Sequence, residues 1–199
     1  IGYIVWFDII AKGRNSNIKL YRTKARYRRL NEHTRLVLIL TTGYILGGAI
    51  LVFCLEYQNP GTIGNMPFGQ KVLNSFFQSV TYRTAGFSTF PQENLREVSA
   101  ILGVFFMFTG GSPVGTAGGV KNVTMFVLIT NVVAFIRSRN DATILKRRIP
   151  DVLIKKATAI ITVHFTISFV LCICLMISSD ISFIDAMFEI MSAVSTVGL

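Results

Sequence analysis

The sequence predicts an all-α integral membrane protein with spanning helices and shorter helices that enter the bilayer only partway. Three observations support this fold class. Of the 199 residues, 51% are hydrophobic, the mean hydropathy is +0.54, and the apolar residues fall in long runs that are typical of membrane helices. Basic residues gather beside these runs, and a glycine-rich stretch interrupts one of them.

The first elements are the end of a span, a basic linker and a complete span. Residues 1–11 are apolar and indicate the end of a preceding helix, so we expect the chain to be part of a longer protein. Residues 12–35 carry nine Lys or Arg. Residues 36–57 are an apolar run, and a bilayer needs about 20 such helical residues. Gly43 and Gly47 form a small-xxx-small pattern there, which permits close contact with another helix.

A helix that stops inside the membrane is predicted next. Asn59-Pro60-Gly61 signals a turn. Residues 68–82 suit a helix, but they are too few and too polar to cross the bilayer. We therefore predict a re-entrant pore helix that enters from outside and ends in a turn at residues 83–88.

Residues 97–136 form the next span, which is interrupted at residues 109–121. This stretch reads Thr-Gly-Gly-Ser-Pro-Val-Gly-Thr-Ala-Gly-Gly-Val-Lys, and its five glycines and one proline disfavour a regular helix. Non-helical backbone at membrane depth is tolerated where it packs in protein or lines a water-filled path. We interpret the stretch as a constriction in a transport pathway; a kinked helix or a tight loop between two short helices is the alternative.

A second basic linker and a further unit follow. Residues 137–156 carry seven Lys or Arg, and residues 157–178 are again long and apolar enough to span. The positive-inside rule places both basic linkers in the cytoplasm. There they attract anionic lipid headgroups or dock a cytosolic partner, and nucleic acid is not indicated. Ser182 and Asp185 signal a helix start before residues 183–194, which repeat the short pore-helix pattern.

The chain contains an internal repeat. Thr84-Ala85-Gly86-Phe87 matches Thr196-Val197-Gly198-Leu199 at an offset of 112 residues, from 84 to 196. A helix that ends at mid-depth aims the negative end of its dipole at such a turn, where backbone carbonyls can replace an ion's water. Neither turn holds a carboxylate, which favours a monovalent cation over calcium.

The two turns and the glycine-rich stretch, taken in order, resemble the Ktr/Trk/HKT potassium-transporter superfamily. The likeness is closest to the KtrB-type translocating subunit of bacteria. That family has four span–pore helix–span repeats around one pseudo-fourfold pore. The resemblance implies that residues 1–11 end the second repeat, residues 36–136 form the third, and residues 157–199 form the fourth up to its filter.

The resemblance also implies roles for particular residues. The expected K⁺ selectivity filter comprises Thr84, Ala85, Gly86, Phe87, Thr196, Val197 and Gly198. The expected gating loop comprises Gly110, Gly111, Ser112, Pro113, Gly115, Thr116, Ala117, Gly118, Gly119 and Lys121. The family further implies a homodimer in a bacterial plasma membrane, surrounded by lipid and docked on a cytosolic nucleotide-binding ring of KtrA-type subunits. No bound cofactor is implied; K⁺ is the transported ion, and Na⁺ is a candidate coupling or stimulating ion.

Several alternatives stay open from the sequence. Sodium transport or Na⁺/K⁺ symport would use the same architecture, although plant-type relatives that favour sodium carry a serine in place of one filter glycine. An intramembrane enzyme or a non-conducting receptor or scaffold are alternatives of other classes; His164 has no obvious catalytic partner. Lys121 either faces the pathway and repels cations or reaches the cytoplasmic interface. Arg83 either braces the filter backbone or reaches the outer surface.

Overall fold

The computed structural model describes residues 2–14, 30–139, 141–144 and 147–199, so most of the first basic linker lies outside the described residues. Helices dominate this part of the chain. Their bounds are α1 Tyr3–Arg14, α2 Glu32–Glu56, α3 Phe68–Thr81, α4 Glu97–Phe108, α5 Asn122–Ile136, α6 Asp151–Ser178 and α7 Phe183–Val194. A 3₁₀ helix covers Gln92–Asn94, and two short strands, β1 Thr143–Ile144 and β2 Arg147–Arg148, pair antiparallel.

Two helices are long and apolar enough to cross a membrane. Helices α2 and α6 have 25 and 28 residues, and their most apolar windows have mean hydropathies of 2.3 and 2.5. At a rise of about 1.5 Å per residue, both exceed the roughly 30 Å of bilayer hydrocarbon. Helices α4 and α5 are shorter and apolar, and they flank the glycine-rich stretch.

The close contact of α2 is made by Gly48, not by Gly43 and Gly47 as the sequence pattern suggested. A Cβ atom at Gly48 would lie 2.4 Å from Ser79 Oγ on α3. Ser79 Oγ in turn donates a hydrogen bond of 2.8 Å to the Ile45 carbonyl. Nothing lies within 4 Å of a Cβ built at Gly43 or Gly47. The reason is rotational: Thr41, Gly48 and Val52 share the buried face of α2, and the other two glycines do not.

The C-terminal end of α2 is held by a buried carboxylate that the sequence analysis missed. Glu56 accepts hydrogen bonds from Asn59 Nδ2 (2.6 Å), Thr62 Oγ1 (2.7 Å) and the Arg96 backbone N–H (3.2 Å). Ser99 Oγ donates a fourth. The carboxylate thus lies at the N-terminus of α4, where the helix dipole favours negative charge. Glu56 joins α2, the turn after it and the start of α4 into one unit.

The main core lies between the two turns and the glycine-rich stretch. Its buried members come from α2, from the ends of α3, α4 and α7, and from both irregular segments: Val52, Tyr82, Phe106, Met107, Phe108, Val120, Met191 and Val197. The Tyr82 ring stacks on Phe106 and meets Phe188 of α7 edge to face, with centroids 6.5 Å apart in both pairs. Tyr82, which directly follows α3, therefore packs against both α4 and α7.

The second basic linker is more structured than the sequence predicted. Helix α6 begins at Asp151 instead of Ala157, because Pro150 precedes it and an acidic first turn favours a helix start. Ahead of it, the antiparallel pair β1–β2 departs from the all-α expectation. Strands of two residues are too short to show alternation in the sequence. Arg148 pairs with Asp141 at 3.0 Å and Asp151 at 3.7 Å, but these exposed pairs contribute little stability.

The predicted start of α7 is confirmed. Ser182 Oγ accepts the Asp185 backbone N–H at 3.2 Å and donates to Asp185 Oδ2 at 2.7 Å. This arrangement satisfies one of the unpaired donors of the first turn.

The α2–α3 contact predicts opposite effects for two neighbouring glycines. We expect Gly48→Ala to lower the melting temperature of the purified full-length protein, because overpacking costs about 1–3 kcal/mol. Gly47→Ala is the matched control and should hold or raise the melting temperature, since a Cβ there meets nothing within 4 Å and replacing a glycine inside a helix gains roughly 0.5–1 kcal/mol. Equal effects of the two substitutions would contradict the assigned contact.

Candidate functional site

The two matching turns share an unusual backbone conformation. After α3, Thr84 and Gly86 have φ values of +67° and +72°. After α7, Thr196 and Gly198 have φ values of +57° and +83°. Positive φ is an outlier for a β-branched residue such as threonine, and strained backbone of this kind concentrates at functional sites. The same strain at equivalent positions supports the repeat inferred from the sequence.

The turns also approach each other backbone to backbone. A Cβ built at Gly86 would lie 2.4 Å from the Val197 carbonyl oxygen. A Cβ at Gly198 would find nothing closer than the Gly86 Cα, at 3.9 Å. Gly86 is therefore required both by its positive φ and by the neighbouring turn, whereas Gly198 is required by its φ alone.

A hydroxyl near the end of each short helix binds the adjoining turn. Thr81 Oγ1 donates to the Phe87 carbonyl at 2.5 Å and accepts the Phe87 N–H at 2.9 Å. Ser192 Oγ donates to the Leu199 carbonyl at 2.9 Å and accepts the N–H groups of Leu199 and Gly198 at 2.8 and 3.2 Å. The sequence analysis missed both residues. The signal was obscured because the offset of 112 pairs Thr81 with Ala193, one position from Ser192.

The glycine-rich stretch is a non-helical loop that folds back on itself. The Val120 N–H donates to the Phe108 carbonyl at 3.0 Å, and the Asn122 N–H donates to the Gly111 carbonyl at 3.1 Å. A Cβ at Gly110 would lie 2.0 Å from the Gly118 carbonyl oxygen. Its glycines therefore let the two arms of the loop pack closer than any other residue would allow.

This loop contacts three other parts of the chain. A Cβ at Gly118 would lie 2.3 Å from Thr196 Oγ1, so the loop packs directly against the second turn. At the loop's tip, the Tyr3 N–H of α1 donates to the Val114 carbonyl at 3.1 Å. Ser112 Oγ lies 3.4 Å from Thr41 Oγ1 of α2.

The predicted loop residues differ in how much of each is exposed, from buried at the start of the loop to exposed at its tip. Gly110, Gly111 and Ser112 are buried, whereas Gly115 and Thr116 are exposed. The remaining five are partly exposed: Pro113, Ala117, Gly118, Gly119 and Lys121. In the turns, Val197 is buried and Ala85, Phe87, Thr196 and Gly198 are exposed, while Thr84 and Gly86 are intermediate.

The two cations near the site have partners that the sequence did not specify. Lys121 Nζ donates to the carbonyl of Ala117 within the loop itself. Arg83 Nη1 donates to the Thr41 carbonyl at 3.3 Å, and its guanidinium lies 5.8 Å from the centre of the Tyr44 ring. Arg83 therefore braces the start of the first turn against α2.

His164 of α6 packs against the second turn and the end of α4. Its Nε2 lies 3.5 Å from Ser195 Oγ, and its ring meets Phe108 edge to face with centroids 5.2 Å apart. Within the described ranges, no group of three His, Cys, Asp or Glu is placed to hold a metal ion. The available ligands at the site are backbone carbonyls and hydroxyls.

Comparisons with known proteins give one family. The family described as "TrkH: Cation transport protein" matches residues 1–199. Ktr system potassium uptake protein B of Bacillus subtilis is 36% identical over this whole chain and 42% of its own length. Potassium/sodium uptake protein NtpJ of Enterococcus hirae is 30% identical with the same coverage. The chain thus spans less than half the length of these curated relatives.

A solved structure shows the same fold. The potassium transporter TrkH from Vibrio parahaemolyticus matches the whole chain and 40% of its own, with a TM-score of 0.71 and 17% sequence identity. At that identity the likeness supports the fold alone. It confirms the helical membrane architecture predicted from the sequence.

The contact between the turns predicts unequal tolerance of their glycines. Both Gly86→Ala and Gly198→Ala incur the strain of positive φ, but only the first drives a Cβ into a backbone oxygen. We expect Gly86→Ala to be less stable by about 1–3 kcal/mol. Melting temperatures of the two purified full-length variants would measure this difference. A melting temperature as low for Gly198→Ala as for Gly86→Ala would show that the turns do not touch as described.

Proposed function

Because this chain belongs to the TrkH family of cation transport proteins, we propose that it forms part of a pore for potassium uptake across a bacterial plasma membrane. The observation that carries this proposal is the pair of strained turns that meet backbone to backbone at the ends of α3 and α7. The intramembrane enzyme considered from the sequence is set aside, because the family is one of transporters. A receptor or scaffold would have no use for two such turns.

The filter consists of backbone carbonyls from the two turns. Thr84, Ala85, Gly86 and Phe87 are the segment expected after α3, and Thr196, Val197 and Gly198 are the segment expected after α7. Positive φ at alternate residues reorients the peptide groups relative to an extended strand, so successive carbonyls need not alternate between opposite sides. The C-terminal ends of α3 and α7 add the negative ends of their dipoles, which favour a cation. Neutral oxygen ligands at such a site replace the hydration shell of K⁺.

The full pore has four repeats, of which this chain supplies one complete repeat and parts of two others. Residues 36–136 are the third, and residues 157–199 are the fourth up to its filter. Residues 1–11 end the second repeat, and the linkers at 12–35 and 137–156 face the cytoplasm. The coverage of 42% of the Bacillus subtilis relative agrees with about half of a four-repeat chain.

The loop from Gly110 to Lys121 is the gate. Its support is its position: it packs against Thr196 of the second turn and reaches α1 and α2 through Val114 and Ser112. Lys121 closes the loop by holding the Ala117 carbonyl. The loop is joined to helices at both ends and packs on the filter. In this position it would obstruct ions that leave the filter.

The names of the relatives guide our proposal for the regulation and assembly of the transporter. The relatives named as Ktr system proteins support a cytosolic regulatory partner, for which we propose a nucleotide-binding ring docked on the basic linkers. The transporter itself acts as a homodimer, with membrane lipid around its apolar helices.

Sodium transport or Na⁺/K⁺ symport is the second candidate. It is favoured by the relative named as a potassium/sodium uptake protein, which covers this whole chain. Against it, both turns described here keep their glycine at positions 86 and 198. Competition of Na⁺ with Rb⁺ during uptake distinguishes the two candidates.

Gly86→Ser tests the filter. In the full-length protein, expressed in a potassium-uptake-deficient bacterium, we expect the ratio of ⁸⁶Rb⁺ to ²²Na⁺ uptake to fall by about tenfold. The added side chain displaces the Val197 carbonyl, and the loss of one good ligand contact costs about 1.4 kcal/mol or more. Gly47→Ser is the matched control, since a Cβ there meets nothing. An unchanged ratio in Gly86→Ser would remove the basis for a filter at this turn.

Deletion of Val114–Gly118 tests the gate. Shortening the loop removes its tip and its contact with Thr196, so uptake should rise severalfold at an unchanged Rb⁺/Na⁺ ratio. Gly115→Ala is the control, because a Cβ there lies 3.5 Å or more from its neighbours. Wild-type flux in the deletion variant, at equal protein abundance, would mean that the loop has a packing role only.

A further inference from the structure

Thr81 of α3 and Ser192 of α7 each carry a hydroxyl that binds the backbone of the turn after the helix. We propose that Thr81 and Ser192 are positioning residues for ion selectivity, whose hydroxyls end the row of ion-binding carbonyls at Gly86 and Gly198. The inference rests on the proposed function and goes further, because it assigns a role to two residues outside both turns. It also moves Phe87, expected in the filter from the sequence, beyond the filter's end.

Thr81 takes Phe87 out of the ion path. Its hydroxyl donates to the Phe87 carbonyl at 2.5 Å and accepts the Phe87 N–H at 2.9 Å, so one side chain satisfies both backbone groups of that residue. Thr81 is 1% exposed, which shields both bonds from competing water. The buried hydroxyl occupies one of the two lone pairs of this carbonyl, so the Phe87 carbonyl is a poorer ligand for an ion than a carbonyl that accepts no hydrogen bond.

Ser192 binds the end of the second turn in a similar way, mainly by accepting hydrogen bonds from its N–H groups. Its oxygen accepts from Gly198 and Leu199 and donates to the Leu199 carbonyl, which uses its one proton and both lone pairs. Amide N–H groups carry positive partial charge and would repel a cation. Because these N–H groups bond to the buried Ser192 side chain, they are directed away from the ion, and the carbonyl groups of the turn are left to face it.

Thr81 and Ser192 also bind their turns through their backbone carbonyls. This second similarity argues against coincidental packing. The Thr81 backbone carbonyl accepts the Ala85 N–H at 3.2 Å, and the Ser192 carbonyl accepts the Val197 N–H at 2.8 Å. Each residue therefore binds the middle of its turn with its backbone and the end of the turn with its side chain. This chemistry is shared although the sequence repeat places the two residues one position out of register.

Removal of the hydroxyls tests the proposal by ion selectivity. We would measure ⁸⁶Rb⁺ and ²²Na⁺ uptake by the full-length protein, with protein abundance in the membrane, for Thr81→Val and Ser192→Ala. The ratio of Rb⁺ to Na⁺ uptake should fall about tenfold in each, since the released backbone groups must find other partners. The conservative variants Thr81→Ser and Ser192→Thr keep a hydroxyl and should restore the wild-type ratio.

Ser79→Ala is the matched control. Ser79 is also a buried hydroxyl on α3, but it donates to the Ile45 carbonyl of α2 and does not touch the turn. Its loss should lower abundance or total flux without changing the ion ratio. A drop in the ratio for Ser79→Ala equal to that for Thr81→Val would overturn the proposal, because any lost hydroxyl would then produce it.

The other outcomes are separable. A wild-type ratio in both hydroxyl-free variants would overturn the positioning role and leave the potassium pore standing. Absence of Rb⁺ uptake by the wild-type protein would overturn the pore and the positioning role together. If Thr81→Val does not reach the membrane, Ser192→Ala decides the question by the same criterion.

Discussion

The structure depends on one constraint: backbone N–H and C=O groups inside a membrane must find partners within the protein. Helices meet this requirement by themselves except at their ends, and α2 and α6 are continuous helices of 25 and 28 residues. The turns after α3 and α7 and the loop between α4 and α5 cannot. Each unpaired group in hydrocarbon would cost several kcal/mol. The unusual contacts of this chain are therefore found where the helix is interrupted.

The chain satisfies the interrupted backbone in two different ways. At the turns, side-chain hydroxyls replace the missing helical partners, as Thr81 does for both polar groups of Phe87. In the loop, absent side chains let backbone pair with backbone, as between Asn122 and Gly111. Glycine is needed for the second solution because the arms pack closer than a Cβ permits, as Gly110 does on Gly118.

The sequence predicted the interruptions better than it predicted how they are stabilised. Glycine and proline in the loop, and the Thr-x-Gly match between the turns, are local signals that a reader can count. The partners of Glu56 and Arg83 lie up to 43 and 42 residues away along the chain, so no local pattern reports them. Gly43 and Gly47 are a case in which a local pattern is present but misleading. The motif predicts close helix contact there, whereas the helix places Gly48 against its neighbour. Rotation of a helix is set by tertiary packing, which short motifs do not encode.

The two solutions also differ in stiffness, and this difference fits the proposed roles. A hydroxyl with all its hydrogen-bonding capacity used, such as that of Ser192, resists displacement because several bonds must break together. The tip of the loop packs against Gly2, and its hydrogen bonds to other helices are isolated ones, one to Tyr3 and one between Ser112 and Thr41 at 3.4 Å. Breaking one such bond costs about 0.5–1.5 kcal/mol, which a regulatory partner could readily supply. A filter must keep its geometry while a gate must move, and the chain places its stronger restraints at the turns and its weaker ones at the loop.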